Sequence, residues 1–551
     1  LRGHAEAVAE AAAAPGASAS AAPAALPTAT SASAPMVAPT FVAAGAHRRI
    51  AYDVAGGRAR ALRGTPTVEE ARRLRSQRPD GADTLRADRG FDREQYARIR
   101  DNPFLAVAGN PRSTFALDVD RASYGNVRRF LGAGTRPPAD AVRLEELVNY
   151  FPYTLPSPTG DAPLAIVTEV MPAPWQPAHR LVRIALQARR VETAALPPST
   201  LVFLVDVSGS MATPDKLPLA KQALRLLVDQ LRAEDRVALV AYAGAAGLVL
   251  PPTSGREKAR ILEAIDRLES GGSTAGGEGL ELAYRVAREA RMPNGNTRVI
   301  LATDGDFNVG VSSDAALERL VERRRAEGTF LTVLGFGTGN YQDAKMQALA
   351  RVGNGNHAYV DDLAEARKAL VEEIGATLHV VAKDVKLQVE FNPAAVRAHR
   401  LLGYEDRLLR DEDFADDAKD AGDVGAGHTV TALYEVIPAG VAGTTPVRDV
   451  APLRYGTARM PDARPPGVGA PDAPMPNART PDAASADELL FVQLRWKPPT
   501  EDRSRLTTHV VRTRDAVRRV EDASADFRFA AAVAAWGMLL RDSEHRGRAT
   551  P

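Results

Sequence analysis

From Thr200 to Leu378 the chain repeats one unit, an apolar run followed by an amphipathic helical period, and few folds accommodate that repeat. Leu201-Val202-Phe203-Leu204-Val205 is continuously apolar, as expected of a strand covered on both faces. Lys216 to Leu231 follows, with Leu219, Ala223, Leu226, Leu227 and Leu231 on one side of a 3.6-residue period. Strand-like runs at Val237–Tyr242, Val299–Thr303 and Phe330–Phe336 then alternate with helical periods at Ala259–Leu268, Leu280–Ala290, Ala315–Ala326 and Leu363–Leu378. Such alternation builds βαβ units and a largely parallel sheet with helices on both faces. Residues 199–376 are therefore expected to form a doubly wound α/β domain.

The flanks follow a period of two instead. Thr114–Val119 alternates apolar and polar, and Ala165–Val170 and Leu181–Leu186 read as further strands. Tyr124, Val127 and Leu131 fall at helical spacing, as do Val142, Leu144 and Leu147. Beyond the α/β stretch the period of two returns at Val385–Phe391, Thr429–Val436 and Leu489–Trp496. A final helix near Phe527–Leu540 places Phe529, Val533, Trp536 and Leu540 on one face. The expected organisation is an α+β segment at 96–198 and a β-rich domain at 377–551, together forming one β-rich module into which the α/β domain is inserted. Residues 1–95, dominated early on by Ala, Pro, Ser and Thr, hold too little apolar surface to offset ordering entropy and are expected to be a disordered tether. The Pro/Ala/Asp-rich stretch 460–487 reads as a solvated loop.

Bulk properties exclude several functions. With 551 residues the chain exceeds one ordinary core. A formal net charge of +1 gives no electrostatic case for nucleic acid. Cysteine is absent, which removes disulfides, thiolate zinc sites and a cysteine nucleophile. No stretch reaches the ~18 apolar residues of a membrane span. The chain opens at Leu1 rather than methionine, so a signal or anchoring segment upstream is an expectation.

Chemistry concentrates at the strand ends. In open α/β sheets, ligands bind outside the carboxyl ends of the strands. Asp206, Ser208 and Ser210 stand just past the first apolar run, Asp304 just past Val299–Thr303, and Thr274 in a glycine-rich turn before another helix. Two carboxylates and three hydroxyls are all oxygen donors. A hard cation with octahedral preference suits them, Mg²⁺ first, with Mn²⁺ or Ca²⁺ as alternatives. The donors carry too little charge to saturate the ion, leaving room for water and one outside group.

These residues, Asp206-x-Ser208-x-Ser210, then Thr274 five residues before Gly279-Leu280, then Thr303-Asp304-Gly305, resemble the metal-ion-dependent adhesion site of von Willebrand factor A domains. The resemblance implies that hydroxyls and one carboxylate contact the metal, often with the second aspartate acting through water. It also implies a protein partner that donates a Glu or Asp carboxylate to the open position. Loops at Ala212–Asp215, Gly276-Gly277 and Asp306–Gly310 would frame that partner. Further segments, among them Asn102-Pro103-Phe104, Asp304–Gly310, Gly425–Glu435 and Phe527–Ala530, are similar to a bacterial family of the YfbK type. That likeness covers roughly residues 95–548. It implies a non-enzymatic protein of the bacterial cell envelope, periplasmic or membrane-anchored, although no cysteine is present to carry a lipid.

Rival readings of the same residues explain less. Asp206 and the serines as mere helix caps leave Thr274 and Asp304 unaccounted for. A serine nucleophile lacks a G-x-S-x-G elbow, and His357 is its one serious candidate base. Gly335-Phe-Gly337-Thr-Gly339-Asn340 misses the third glycine of a dinucleotide loop and reads as a turn. Asp118-Val119-Asp120 and the acidic stretch 411–423 lack EF-hand spacing, and a solvated loop is the simpler account of the latter. Arg323-Arg324-Arg325 reads as the exposed end of a helix. Two further functions carry no signal of their own: an assembly or docking factor for an envelope or ATPase complex, and a metal-dependent hydrolase.

Overall fold

The computed structural model describes residues 94–117, 120–192, 196–273, 276–305, 313–373, 378–442, 445–448 and 487–550. Nearly all of the expected tether, Asp118 and Val119, Thr274, the 306–310 loop and most of the 460–487 loop lie outside the described residues.

Every residue of the strand Ser199–Asp206 is buried, and the sheet around it explains the unbroken apolar run. The strand lies parallel to Arg236–Tyr242 on one side and to Asn296–Thr303 on the other. Thr329–Phe336 and His357–Val360 extend the sheet in parallel beyond Asn296–Thr303. Successive side chains of a strand point to opposite faces. Leu201, Phe203 and Val205 therefore enter one core, with Leu224 and Leu227 of the helix Leu217–Gln230, Ile261 of Lys258–Asp266 and Ala366 of Leu363–Arg367. Val202 and Leu204 enter the other, with Leu280 of Gly276–Glu289, Leu317 of Asp314–Ala326 and Met346 of Asp343–Val352. The sixth strand, Ala246–Ser254, pairs antiparallel at the edge. Its Gly247, Pro251 and Pro252 hide it from a hydropathy reading, yet an edge strand tolerates proline. The helix expected over Leu363–Leu378 is shorter: Leu363–Arg367 is α-helical, and Lys368–Glu372 continues as a wider turn.

The flanking strands form two sheets around one core. One sheet runs Val447–Arg448, Phe104–Ala106, Val396–Leu402, Thr429–Pro438, Gln176–Ala188, Leu164–Ala173. The other runs Leu408–Leu409, Arg112–Ala116, Val380–Phe391, Glu488–Lys497, Arg505–Arg512. Each sheet draws strands from before and after the α/β domain, so that domain is an insertion in a β-rich module. The 165–186 and 385–391 strands share a core rather than a sheet: Val182, Ile184 and Leu186 pack with Leu387, Val389 and Phe391.

The helix Ala525–Leu540 begins at Ser524, whose hydroxyl accepts from the Phe527 N–H. It packs on Leu144–Asn149, with Gly537 facing Leu144 and Leu147. Buried polar links tie module to insertion. Arg143 donates to Asp343 at 2.7 Å with both side chains almost wholly buried. Asp120 accepts from the His357 amide at 2.8 Å and pairs with Arg407, a structural role rather than a calcium loop. Asp420, from the acidic stretch, pairs with Arg325, so neither that stretch nor the arginine run is wholly solvated.

Candidate metal centre

Asp206 is the last residue of its strand and faces Tyr242, the last residue of the neighbouring one. It is fully buried, and three donors orient it. The Ser208 N–H reaches Oδ1 at 2.9 Å, while the Tyr242 hydroxyl and the Thr303 hydroxyl each reach Oδ2 at 3.1 Å. Tyr242 fits there because residue 279 is glycine: a Cβ on Gly279 would lie 2.9 Å from the Tyr242 ring.

Past Asp206 the chain bends into a short turn, Gly209–Ala212, which brings the Ser208 and Ser210 hydroxyls within 3.0 Å of each other. Neither serine side chain caps a helix; the residue preceding Leu217–Gln230 is Lys216, and it makes no capping bond. The cap reading is thereby replaced. Gly209 donates to the Gly272 carbonyl at 3.0 Å and Gly271 to the Val207 carbonyl at 2.7 Å. The Gly271–Ser273 turn is thus stitched to the Asp206–Ser210 turn, while Thr274 lies outside the described residues.

Asp304 follows the strand Asn296–Thr303 and is also fully buried. Two residues that sequence reading missed hold it. The Lys216 ammonium donates to Asp304 Oδ2 at 3.0 Å, and the Asn340 side-chain amide donates to the same oxygen at 3.0 Å. Lys216 also donates to Asn340 Oδ1 at 2.8 Å, which closes a three-membered network. The lysine stem crosses Gly337, whose φ is +75°; a Cβ there would stand 2.3 Å from Lys216 Cγ. Of the three glycines read from sequence as a turn, Gly335 belongs to the strand Thr329–Phe336, whereas Gly337 and Gly339 have positive φ, and the turn they form delivers Asn340.

Electrostatics separate the two carboxylates. Burial pushes the Asp206 carboxyl up to about 6 against the hydrogen bonds from Ser208, and the nearby Asp304 charge adds to the rise. Burial acts on Asp304 as well, but the hydrogen bond from Asn340 and the Lys216 ammonium outweigh it and hold the group below its ordinary value. Two buried carboxylates close enough to repel, beside a pair of hydroxyls, form an all-oxygen donor set that fits a hard divalent cation. Among the described residues, no group of three or more His, Cys, Asp or Glu gathers into a metal-holding cluster, at this site or elsewhere, so hydroxyls must supply part of any shell here.

His357 stands at the start of its strand, away from the carboxyl ends that carry the serines. It is buried, and its Nε2 is 3.0 Å from the Tyr341 hydroxyl. Burial lowers the imidazole to about 4. No hydrogen bond joins it to Ser208 or Ser210 among the described residues, which leaves the nucleophile reading without a base.

A doubly wound sheet with these turns at its carboxyl edge defines a von Willebrand A-type domain. Residues 200–373 match the family described as von Willebrand factor type A domain, and residues 90–183 match one described as von Willebrand factor. Residues 376–551 match the family described as Uncharacterized protein YfbK, C-terminal. The protein YfbK of Escherichia coli (strain K12) is 43% identical over 462 residues, covering 82% of this chain and 75% of that protein. The chain belongs to the YfbK family. A second relative, sll0103 of Synechocystis, is 30% identical over 220 residues, 40% of this chain and 51% of that protein. Among solved structures, a von Willebrand factor type A protein from Catenulispora acidiphila is similar at 19% identity and a TM-score of 0.37, covering 68% of this chain and 77% of that one. No described helix is long and apolar enough to cross a membrane.

Proposed function

We propose that the chain is a non-enzymatic, Mg²⁺-dependent protein-binding protein of the bacterial cell envelope. Asp206, Ser208, Ser210, Thr274 and Asp304 hold the metal, and a Glu or Asp carboxylate of the partner completes its shell. The observation that carries this reading is the Lys216–Asp304 ion pair at 3.0 Å. Two carboxylates and one ammonium leave the site a single net negative charge, so a divalent ion bound there keeps one positive charge uncompensated. A low-dielectric site does not tolerate that charge alone, and an outside carboxylate cancels it. The site thereby favours the metal most when an acidic partner is present.

The test uses the full chain immobilised on a support and exposed to an envelope extract in Mg²⁺. Proteins retained by the chain should elute with a chelator, and an Asp206→Ala column should retain none of them. Retention that ignores both chelator and substitution contradicts the reading. A defined complex that survives the chelator points instead to an assembly or docking factor.

A further inference from the structure

The turn that supplies Asn340 is itself held from outside the α/β domain. Glu94, the first described residue, accepts a hydrogen bond from the Gly339 N–H at 2.9 Å through Oε1. The Gln95 N–H donates to the Tyr341 carbonyl at 3.0 Å, and Gln95 forms a parallel bridge with Gln342. Glu94 is anchored in turn by Arg129, which donates to its two oxygens at 2.9 and 2.8 Å, and by the Tyr96 hydroxyl at 2.9 Å. The Glu94 side chain is only 5% exposed. These contacts grip residues 339–342 from end to end, and the middle of that grip is Asn340, which bonds Asp304. The Asp304 turn also abuts the same segment, since a Cβ on Gly305 would lie 2.5 Å from the Gln342 nitrogen.

We propose that Glu94–Tyr96 is a positioning clasp for the metal site, coupling the chain N-terminal to the α/β domain to the carboxylate of Asp304 through the Gly339–Gln342 turn. The proposal rests on the metal reading above. Glu94 acts through Gly339 and Asn340 on the orientation of Asp304. Groups that orient metal ligands from behind set affinity by roughly 10–100-fold, and a clasp one contact further out is expected to set it by about 3–10-fold. Linkage makes the effect reciprocal: metal at the site tightens the clasp, and opening the clasp loosens the site.

The experiment compares the full chain with Glu94→Ala and Glu94→Gln by hydrogen exchange over 337–342 and by Mn²⁺ affinity. In Glu94→Ala, exchange over that segment should rise and Mn²⁺ affinity should fall about 3–10-fold. Glu94→Gln, whose carbonyl still accepts from Gly339, should fall between. Mn²⁺ should also slow exchange over 337–342 in the unsubstituted chain. Faster exchange with unchanged Mn²⁺ affinity, or unchanged exchange, overturns the clasp while leaving the metal reading intact. Absence of Mn²⁺ binding by the unsubstituted chain overturns both.

Discussion

Replacing Lys216 with methionine removes the ammonium charge and its hydrogen bonds to Asp304 and Asn340. The stem that lies over Gly337 is preserved in length, and Asn340 still holds Asp304 Oδ2 at 3.0 Å. Without metal, the buried Asp304 loses its counter-ion, and breaking a buried pair from one side costs roughly 3–5 kcal/mol. With metal, the sign reverses. A divalent ion and an ammonium about 6 Å apart repel by ~1.4 kcal/mol at a dielectric of 80 and by ~5.5 kcal/mol at 20. The lower figure alone is about tenfold in affinity. Lys216→Met should therefore bind Mg²⁺ at least about tenfold more tightly in calorimetry, and Mg²⁺ should raise its melting temperature far more than that of the unsubstituted chain. Lys216→Arg keeps the charge and should leave affinity near its original value. The reasoning is refuted if Lys216→Met folds natively and binds Mg²⁺ no more tightly than the unsubstituted chain, because Lys216 would then not compensate the site.

Three further outcomes follow from other contacts. Gly337→Ala forces a side chain onto a backbone at φ +75° and into the Lys216 stem; it should cost about 1–3 kcal/mol, read by thermal melting, and Lys216→Ala in the same chain should recover the steric part. Asp343→Ala leaves Arg143 buried with Glu146 at 3.6 Å as its remaining carboxylate, which should cost roughly 3–5 kcal/mol in urea denaturation, whereas Arg143→Met with Asp343→Leu should recover most of it. Burial holds the His428 imidazole down to about 3 from 6.5, and neither ring nitrogen has a hydrogen-bond partner among the described residues. Its folded value is depressed, so its contribution is full above pH 6.5 and is lost as pH falls toward 3, at up to roughly 1.4 kcal/mol per pH unit. Burial raises Asp120 to about 8 and Glu146 to about 7, and these carboxylates slope the opposite way. The quantity to measure is thus the stability difference between His428→Leu and the unsubstituted chain, which should move in favour of the variant as pH drops below 6.5.

What the sequence displays and what it conceals divide along physical lines. Leu201–Val205 announces a central strand because both of its faces are covered, and the strand ends then place Asp206 and Asp304 at one edge without further information. Ala246–Ser254 is concealed because an edge strand need not be apolar and can hold Pro251 and Pro252. The insertion is legible in the returning period of two, but the division of the flanking module's strands between two sheets depends on pairings across hundreds of residues, such as Lys386 with Ala116. Lys216 and Asn340 were missed because their contacts with Asp304 span 88 and 36 residues. One signal was available. Lys216 stands directly before the helix Leu217–Gln230, where the helix dipole disfavours a cation and capping favours Ser, Thr, Asp or Asn. A local rule broken at the mouth of a site is a reason to look for the group that compensates it.

The central claim is that five oxygen-bearing side chains hold one divalent ion, and Mn²⁺ electron paramagnetic resonance on the full chain tests it most directly. Titration should show one bound Mn²⁺ per chain, displaced by Mg²⁺ and by a chelator. Asp206→Ala should lose the bound signal while its far-ultraviolet circular dichroism stays native. Equal Mn²⁺ binding by Asp206→Ala, or none by the unsubstituted chain, would contradict the account.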